Sequence, residues 1–285
     1  MKLLDPNTIK QKFFGKNHTS SSFGVMQGRL LPKFQGRYQA HPIGYWMDEF
    51  SIAESIGLEC IEFIFDYNDY HSSPLFTIKG KKLISQQIEF TGVEVYSVCA
   101  DFFMVHPLHS LDSQKSEFSK DILITLLKNL KDLEIKDLVI PCVDQSSLRN
   151  KVHIEAFKKN LKPIVPMAEK LGVNLCLETD LPPYEFKSLI DDLSSVNVTV
   201  NYDMGNSASL GYDFKEELEA YGEKITDLHI KDRNFGSSSV PLGEGSVDFS
   251  GFFLEFAKLN FNGQLIVQAF RDNEGLSIFK KQLEF

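Results

Sequence analysis

The sequence predicts an α/β protein built as a single (β/α)8 barrel, and three observations predict it. Short apolar runs rich in β-branched residues alternate with longer amphipathic stretches almost end to end, the pattern of repeated βα units around a parallel sheet. The apolar runs number eight, at 23–26, 60–65, 93–98, 138–141, 174–178, 199–203, 227–230 and 264–268. The rival open sheet carries a Gly-rich phosphate loop after its first strand, whereas Gly24, Gly28 and Gly36 lack G-x-G-x-x-G spacing and no G-K-S/T occurs.

Each element follows from its neighbours. The run 23–26 emerges from a polar segment, 1–22, which reads as an N-terminal extension. The stretch 46–56 places apolar residues at three-and-four spacing and stops at Gly57, a residue suited to the left-handed position past a helix end, before the second run. Helical stretches at 79–90 and 113–133 lead into the third and fourth runs. The stretch 154–170, closed by Gly172, leads into the fifth. Stretches 184–193, 214–221 and 249–258 precede the last three. With no low-complexity linker or abrupt charge shift, residues 23–285 read as one domain.

Composition narrows the function. A chain of 285 residues, 42% hydrophobic, supplies a well-buried core. A net charge of −9 and a pI near 5.3 repel duplex phosphate and anionic membrane surfaces, so neither nucleic acid nor membrane is expected as a partner. No run approaches the roughly 20 apolar residues of a membrane span, and the N-terminus lacks a signal-peptide core, which leads to a cytoplasmic expectation. Cys60, Cys99, Cys142 and Cys176 form no C-x-x-C pair and sit in or beside apolar runs, as reduced buried thiols do.

In such barrels chemistry is carried at the C-terminal ends of the strands. The fifth run ends in Glu178 and the sixth in Asp203, the seventh carries His229, and the eighth ends in Gln268. Two carboxylates, an imidazole and an amide oxygen on successive rigid strands suit one divalent metal ion. The oxygen-rich set favours Mn2+ or Mg2+, and the histidine leaves Co2+ and Zn2+ open.

The segments E-T-D, Y-D-M-G-N, L-H-I-K-D and V-P-L-G-E-G-S-V-D-F, in that order, with the opening F-G-V-M-Q-G-R-L, resemble the xylose-isomerase-like TIM-barrel superfamily of sugar and sugar-phosphate isomerases and epimerases. The resemblance runs from about Phe23 to Arg271. It implies metal ligands at Glu178, Asp203 and His229, with a glutamate at the eighth strand end that also transfers protons. Here that position is Gln268, which cannot titrate. The implied reaction removes a proton beside a carbonyl of a keto sugar or sugar phosphate and passes through an enediolate, with Glu178 as base and Lys231 beside it in the catalytic set. Arg233, Gln27, Arg29 and His106 are candidates to line the substrate pocket, and Asp101 and Glu62 are candidates to replace the missing base. The aromatic residues Phe65, Phe102, Phe103, Tyr202 and Phe270 read as core, with sugar-ring packing as the alternative. The resemblance also implies a homo-oligomer.

Two other functions compete. A dehydratase of a keto polyol or cyclic hydroxy acid needs only one base and a metal on this scaffold. A non-catalytic sugar-binding barrel needs neither proton-transfer group. The three-metal DNA-repair endonucleases of the same fold require a histidine-rich site, and seven histidines with one at a strand end do not supply it.

Overall fold

A computed structural model describes residues 21–148 and 150–285, so most of the expected extension, residues 1–20, lies outside the described residues. Eight parallel strands close on themselves: β1 (Ser22–Met26), β2 (Cys60–Ile64), β3 (Ser97–Cys99), β4 (Asp137–Cys142), β5 (Asn174–Thr179), β6 (Val198–Asp203), β7 (Ile225–Ile230) and β10 (Gln264–Val267). β1 closes the ring by pairing with both β2 and β10. The expected single (β/α)8 barrel is the observed architecture. A small antiparallel hairpin, β8 (Asp232–Arg233) with β9 (Ser239–Val240), follows β7.

Period-two alternation gives each strand an inner and an outer face. Ile61, Phe63, Leu138, Ile140, Leu175, Leu177, Val200 and Leu228 join the large core shared with the helices. The alternate positions Met26, Cys60, Ile64, Cys99, Val139, Cys176 and Ile266 form a second cluster that fills the barrel. Each fully buried Val, Leu, Ile, Phe or Met side chain among them contributes about 1.5–3 kcal/mol relative to exposure. The four cysteines are free and buried.

Three local differences from the sequence expectation have physical causes. The third run pairs late: Glu94 bridges Cys60, and the ladder resumes at Phe63↔Val98 with the partner offset grown by one residue, so an inserted residue interrupts β3. The stretch 154–170 is two helices, Lys151–Leu161 and Val165–Leu171. Pro163 lacks the N–H that would continue the first, and Pro166 sits in the first turn of the second, where that lack costs nothing. Helices Phe102–Val105, Met204–Leu210 and Leu276–Leu283 were not anticipated; the first two are too short to show periodicity. Among the described residues no helix is long and apolar enough to cross a membrane.

Candidate active site

The inward phase of β5, β6 and β7 brings Glu178, Asp203 and His229 to one end of the barrel, with Asp203 directly paired to His229 across the sheet. One ligand atom from each lies within 4.8 Å of the others, and all three residues are buried. Above them opens a cavity of about 630 Å3, lined by Glu178 and by Gln268, the residue just past β10.

His229 is oriented from beneath. Its Nε2 meets Glu62 Oε1 at 2.8 Å, and Glu62 in turn accepts the Ser97 hydroxyl at 2.6 Å. Nδ1 then faces the cluster, 3.8 Å from Asp203 Oδ2 and 3.1 Å from Asn201 Nδ2. Burial alone would lower the imidazole pKa, but the Glu62, Asp203 and Glu178 carboxylates outweigh it and raise the group well above its ordinary value. Burial and the Glu62 charge push the carboxyl of Asp227, beside this pair, far above its ordinary value.

The two carboxylates of the cluster differ. Burial and repulsion from Asp203 push Glu178 up to about 7, although Asn201 Nδ2 donates to its Oε2 at 2.9 Å and Asn206 Nδ2 to its Oε1 at 2.7 Å. Burial also pushes on Asp203, but the Lys231 ammonium 3.0 Å from Oδ2 and the His229 ring overcome it and hold Asp203 below the usual carboxylate range. Asp203 Oδ1 also caps the following helix, accepting Asn206 N–H at 2.8 Å. The two carboxylates are thus shifted in opposite directions, Glu178 up and Asp203 down.

The set fits a divalent cation. Gln268 donates through Nε2 to Gln39 Oε1 at 3.2 Å, which leaves its Oε1 buried without a hydrogen-bond partner. A buried orphan carbonyl normally costs about 1–3 kcal/mol, and a hard cation satisfies it. Carboxylate oxygens, one imidazole nitrogen and an amide oxygen are the donors present. The Nε2–Glu62 contact is the support that metal-bound histidines typically carry.

The cavity walls hold Arg29, Asp101 and Arg233 of the six expected contact residues, together with Lys231. Arg29 donates to Ala269 O, Tyr38 O and Gln39 Oε1, and Asp101 accepts from Gln39. Opposing them, Lys231 bridges Asp203 and Asn206 Oδ1, and Arg233 Nη1 reaches the same Asn206 oxygen at 2.7 Å. The stem of Lys231 lies over Gly205, where a Cβ would stand 2.8 Å from Lys231 Cγ. Arg233 rides on the β8–β9 hairpin. Asp232 beneath it accepts three backbone N–H groups, from Gly243, Gly245 and Val247, and so pins the G-E-G turn. Phe270 lines the cavity, while Phe65, Phe102, Phe103 and Tyr202 are core.

Three expected contact residues do not line this cavity. Gln27 is wholly buried, its Oε1 accepting Ile64 N–H at 3.0 Å and meeting His41 Nδ1 at 2.9 Å; it braces β1 against β2. Glu62 is sealed under His229, because its place mid-strand sets it one layer below the strand ends. His106 turns outward into an aromatic group with Tyr67, Phe102 and Phe118.

Sequence reasoning missed Gln39, Asn201 and Asn206. Asn201 precedes Asp203 by two residues and so shares its inward face, a signal that alternation alone could have supplied. Asn206 stood in the Y-D-M-G-N motif without a role. Nothing local marks Gln39, which lies in the loop after β1.

Comparisons with known proteins agree with this architecture. The L-ribulose-5-phosphate 3-epimerase UlaE of Escherichia coli is 26% identical over 238 residues, 78% of this chain and 81% of the relative. The 3-keto-D-glucoside 4-epimerase YcjR of E. coli superposes with a TM-score of 0.70 at 13% identity, covering 93% of this chain and 98% of that one. A structure of IOLI protein with a binding zinc atom gives a TM-score of 0.70 at 17% identity, covering 92% and 96%. The family described as xylose isomerase-like TIM barrel matches residues 50–285, and the chain belongs to that family.

Proposed function

We propose that the protein is a metal-dependent isomerase or epimerase of a keto sugar or sugar phosphate. The observation that carries this reading is the convergence of Glu178, Asp203 and His229 within 4.8 Å, with Glu178 lining a cavity whose walls also supply Arg29, Lys231 and Arg233. The sugar epimerases among the similar proteins support the same chemistry.

Glu178, Asp203, His229 and Gln268 would hold the ion, with Mn2+ or Mg2+ favoured by the oxygen donors and Zn2+ or Co2+ accommodated by the histidine. When bound, such an ion supplies Lewis-acid stabilisation of negative charge developing on a substrate oxygen. The remaining work belongs to side chains. Glu178 takes the proton from the carbon beside the carbonyl. Lys231 and Arg233 offer fixed positive charge to substrate hydroxyl or phosphate oxygens. Asn201 and Asn206 hold both oxygens of Glu178 in place.

The test is metal content and turnover together. Purified protein, chelated and reloaded with Mn2+, is expected to bind about one equivalent, and Asp203→Ala to bind none. The loaded protein is then screened against ketoses and ketose phosphates by NMR. An epimer or aldose product supports the reading; loss of water identifies a dehydratase. Failure to bind any divalent ion overturns it in favour of a non-catalytic sugar-binding barrel.

A further inference from the structure

Epimerisation needs a proton removed from one face of a carbon and another delivered to the opposite face, and the amide of Gln268 does neither. We propose that Asp101, on the opposite wall from Lys231, is the second acid–base group of this cavity and that Gln39 positions it. This inference rests on the isomerase or epimerase reading above.

Asp101 lies two residues past β3, in phase with the inward-facing Ser97 and Cys99. It stands at the N-cap of helix Phe102–Val105 yet its side chain makes no capping bond. Its carboxylate instead borders the cavity, accepting Gln39 Nε2–H at 2.8 and 3.1 Å and the Cys99 thiol at 3.3 Å. The charged groups facing it are Arg29 and Asp66, and no cation sits within ion-pair distance among the described residues. Burial pushes Asp101 up to about 6, against the opposing hydrogen bonds from Gln39 and Cys99, so acid and base forms are both accessible near neutrality. Two other carboxylates fare worse. Asp66 is held by Arg37 at 2.7 Å, and Glu62 is sealed beneath His229.

Gln39 links this carboxylate to the eighth strand end. Its Oε1 accepts from Gln268 Nε2 at 3.2 Å and from Arg29 Nη2 at 3.0 Å, while its Nε2 serves Asp101. With Oε1 facing two donors and Nε2 facing a carboxylate, only one amide orientation satisfies all partners. The same side chain therefore holds Asp101 and engages the Gln268 amide through its nitrogen, leaving the Gln268 oxygen without a hydrogen-bond partner.

The proton count closes. Glu178 carboxylate takes the carbon-bound proton, and the C–H electron pair moves into the adjacent carbonyl to give the enediolate. Protonated Asp101 delivers its proton to the other face, and the electrons return to re-form the carbonyl. Glu178 then gives its proton to water and Asp101 takes one from water.

The experiment follows L-ribulose 5-phosphate and D-fructose in D2O by proton NMR, with Mn2+-loaded wild type, Asp101→Asn, Asp101→Glu, Gln39→Leu and Glu178→Gln. Asp101→Asn is expected to keep deuterium wash-in beside the carbonyl within about threefold of wild type while epimer formation falls about 100-fold or more. Asp101→Glu restores part of the epimerisation, and Glu178→Gln loses both signals. Gln39→Leu shifts the acidic limb of the pH profile of epimer formation. Epimer formation by Asp101→Asn at the wild-type rate, or an aldose product that Asp101→Asn leaves unchanged, overturns the proposal while sparing the enzymatic reading. A wild type that binds Mn2+ but gives neither wash-in nor product overturns both.

Discussion

Glu62 Oε1 meets His229 Nε2 at 2.8 Å, and both side chains are completely removed from solvent. This contact fixes which ring nitrogen can accept a metal ion and which cannot. A buried carboxylate behind a metal-binding histidine orients the ring and raises its basicity. Glu62→Leu is expected to weaken Mn2+ binding by about 10–100-fold, as read by titration of the chelated protein. Unchanged affinity would show that Nδ1 is not set by Glu62.

Lys231 competes with a cation for Asp203. Its ammonium stands 3.0 Å from Oδ2 and partly neutralises the Glu178–Asp203 pair. Lys231→Met is expected to bind Mn2+ as tightly as wild type or up to about tenfold more tightly, with turnover reduced about 100-fold by loss of the positive charge facing substrate. Loss of metal binding together with activity would assign Lys231 a structural role instead.

Gln268→Glu tests the match between the eighth strand end and Gln39. The new carboxylate would face Gln39 Oε1, an acceptor against an acceptor. Inverting the Gln39 amide would turn its NH2 toward Arg29 and its oxygen toward Asp101. Metal affinity is expected to rise with the added charge, while turnover falls about tenfold or more as the Asp101 contact is lost. A gain in turnover would mean that proton transfer at this position was simply missing.

Asp137 gives the chain a measurable pH dependence of stability. Burial, with Glu62 nearby, raises its carboxyl from 3.8 to about 6. A raised carboxyl contributes stability that is present below about 3.8 and lost as pH rises through about 6, a cost of about 3 kcal/mol once ionised. Asn fits the site: Asn174 and Thr226 donate to Oδ1, and the Gln264 amide turns to suit whichever group stands at the second position. Asp137→Asn should leave the melting temperature near pH 4 unchanged and raise it by several degrees at pH 8. Equal shifts at the two pH values would rule this out.

The sequence by itself determined the number of βα units, the closed barrel and the strand ends that meet, because alternation and helix periodicity are local properties of the chain. Glu178, Asp203 and His229 were legible since each ends or nearly ends an apolar run, and strand ends of a parallel barrel share one mouth. Tertiary structure alone decided the rest. Gln27 and Glu62 share the polarity of true cavity residues, but their depth in the barrel depends on strand stagger. His106 is turned outward by the packing of Tyr67 and Phe118. Gln39 meets Gln268 across 229 residues of chain. The two come together only when β1 closes the ring against β10, a contact that no local pattern encodes.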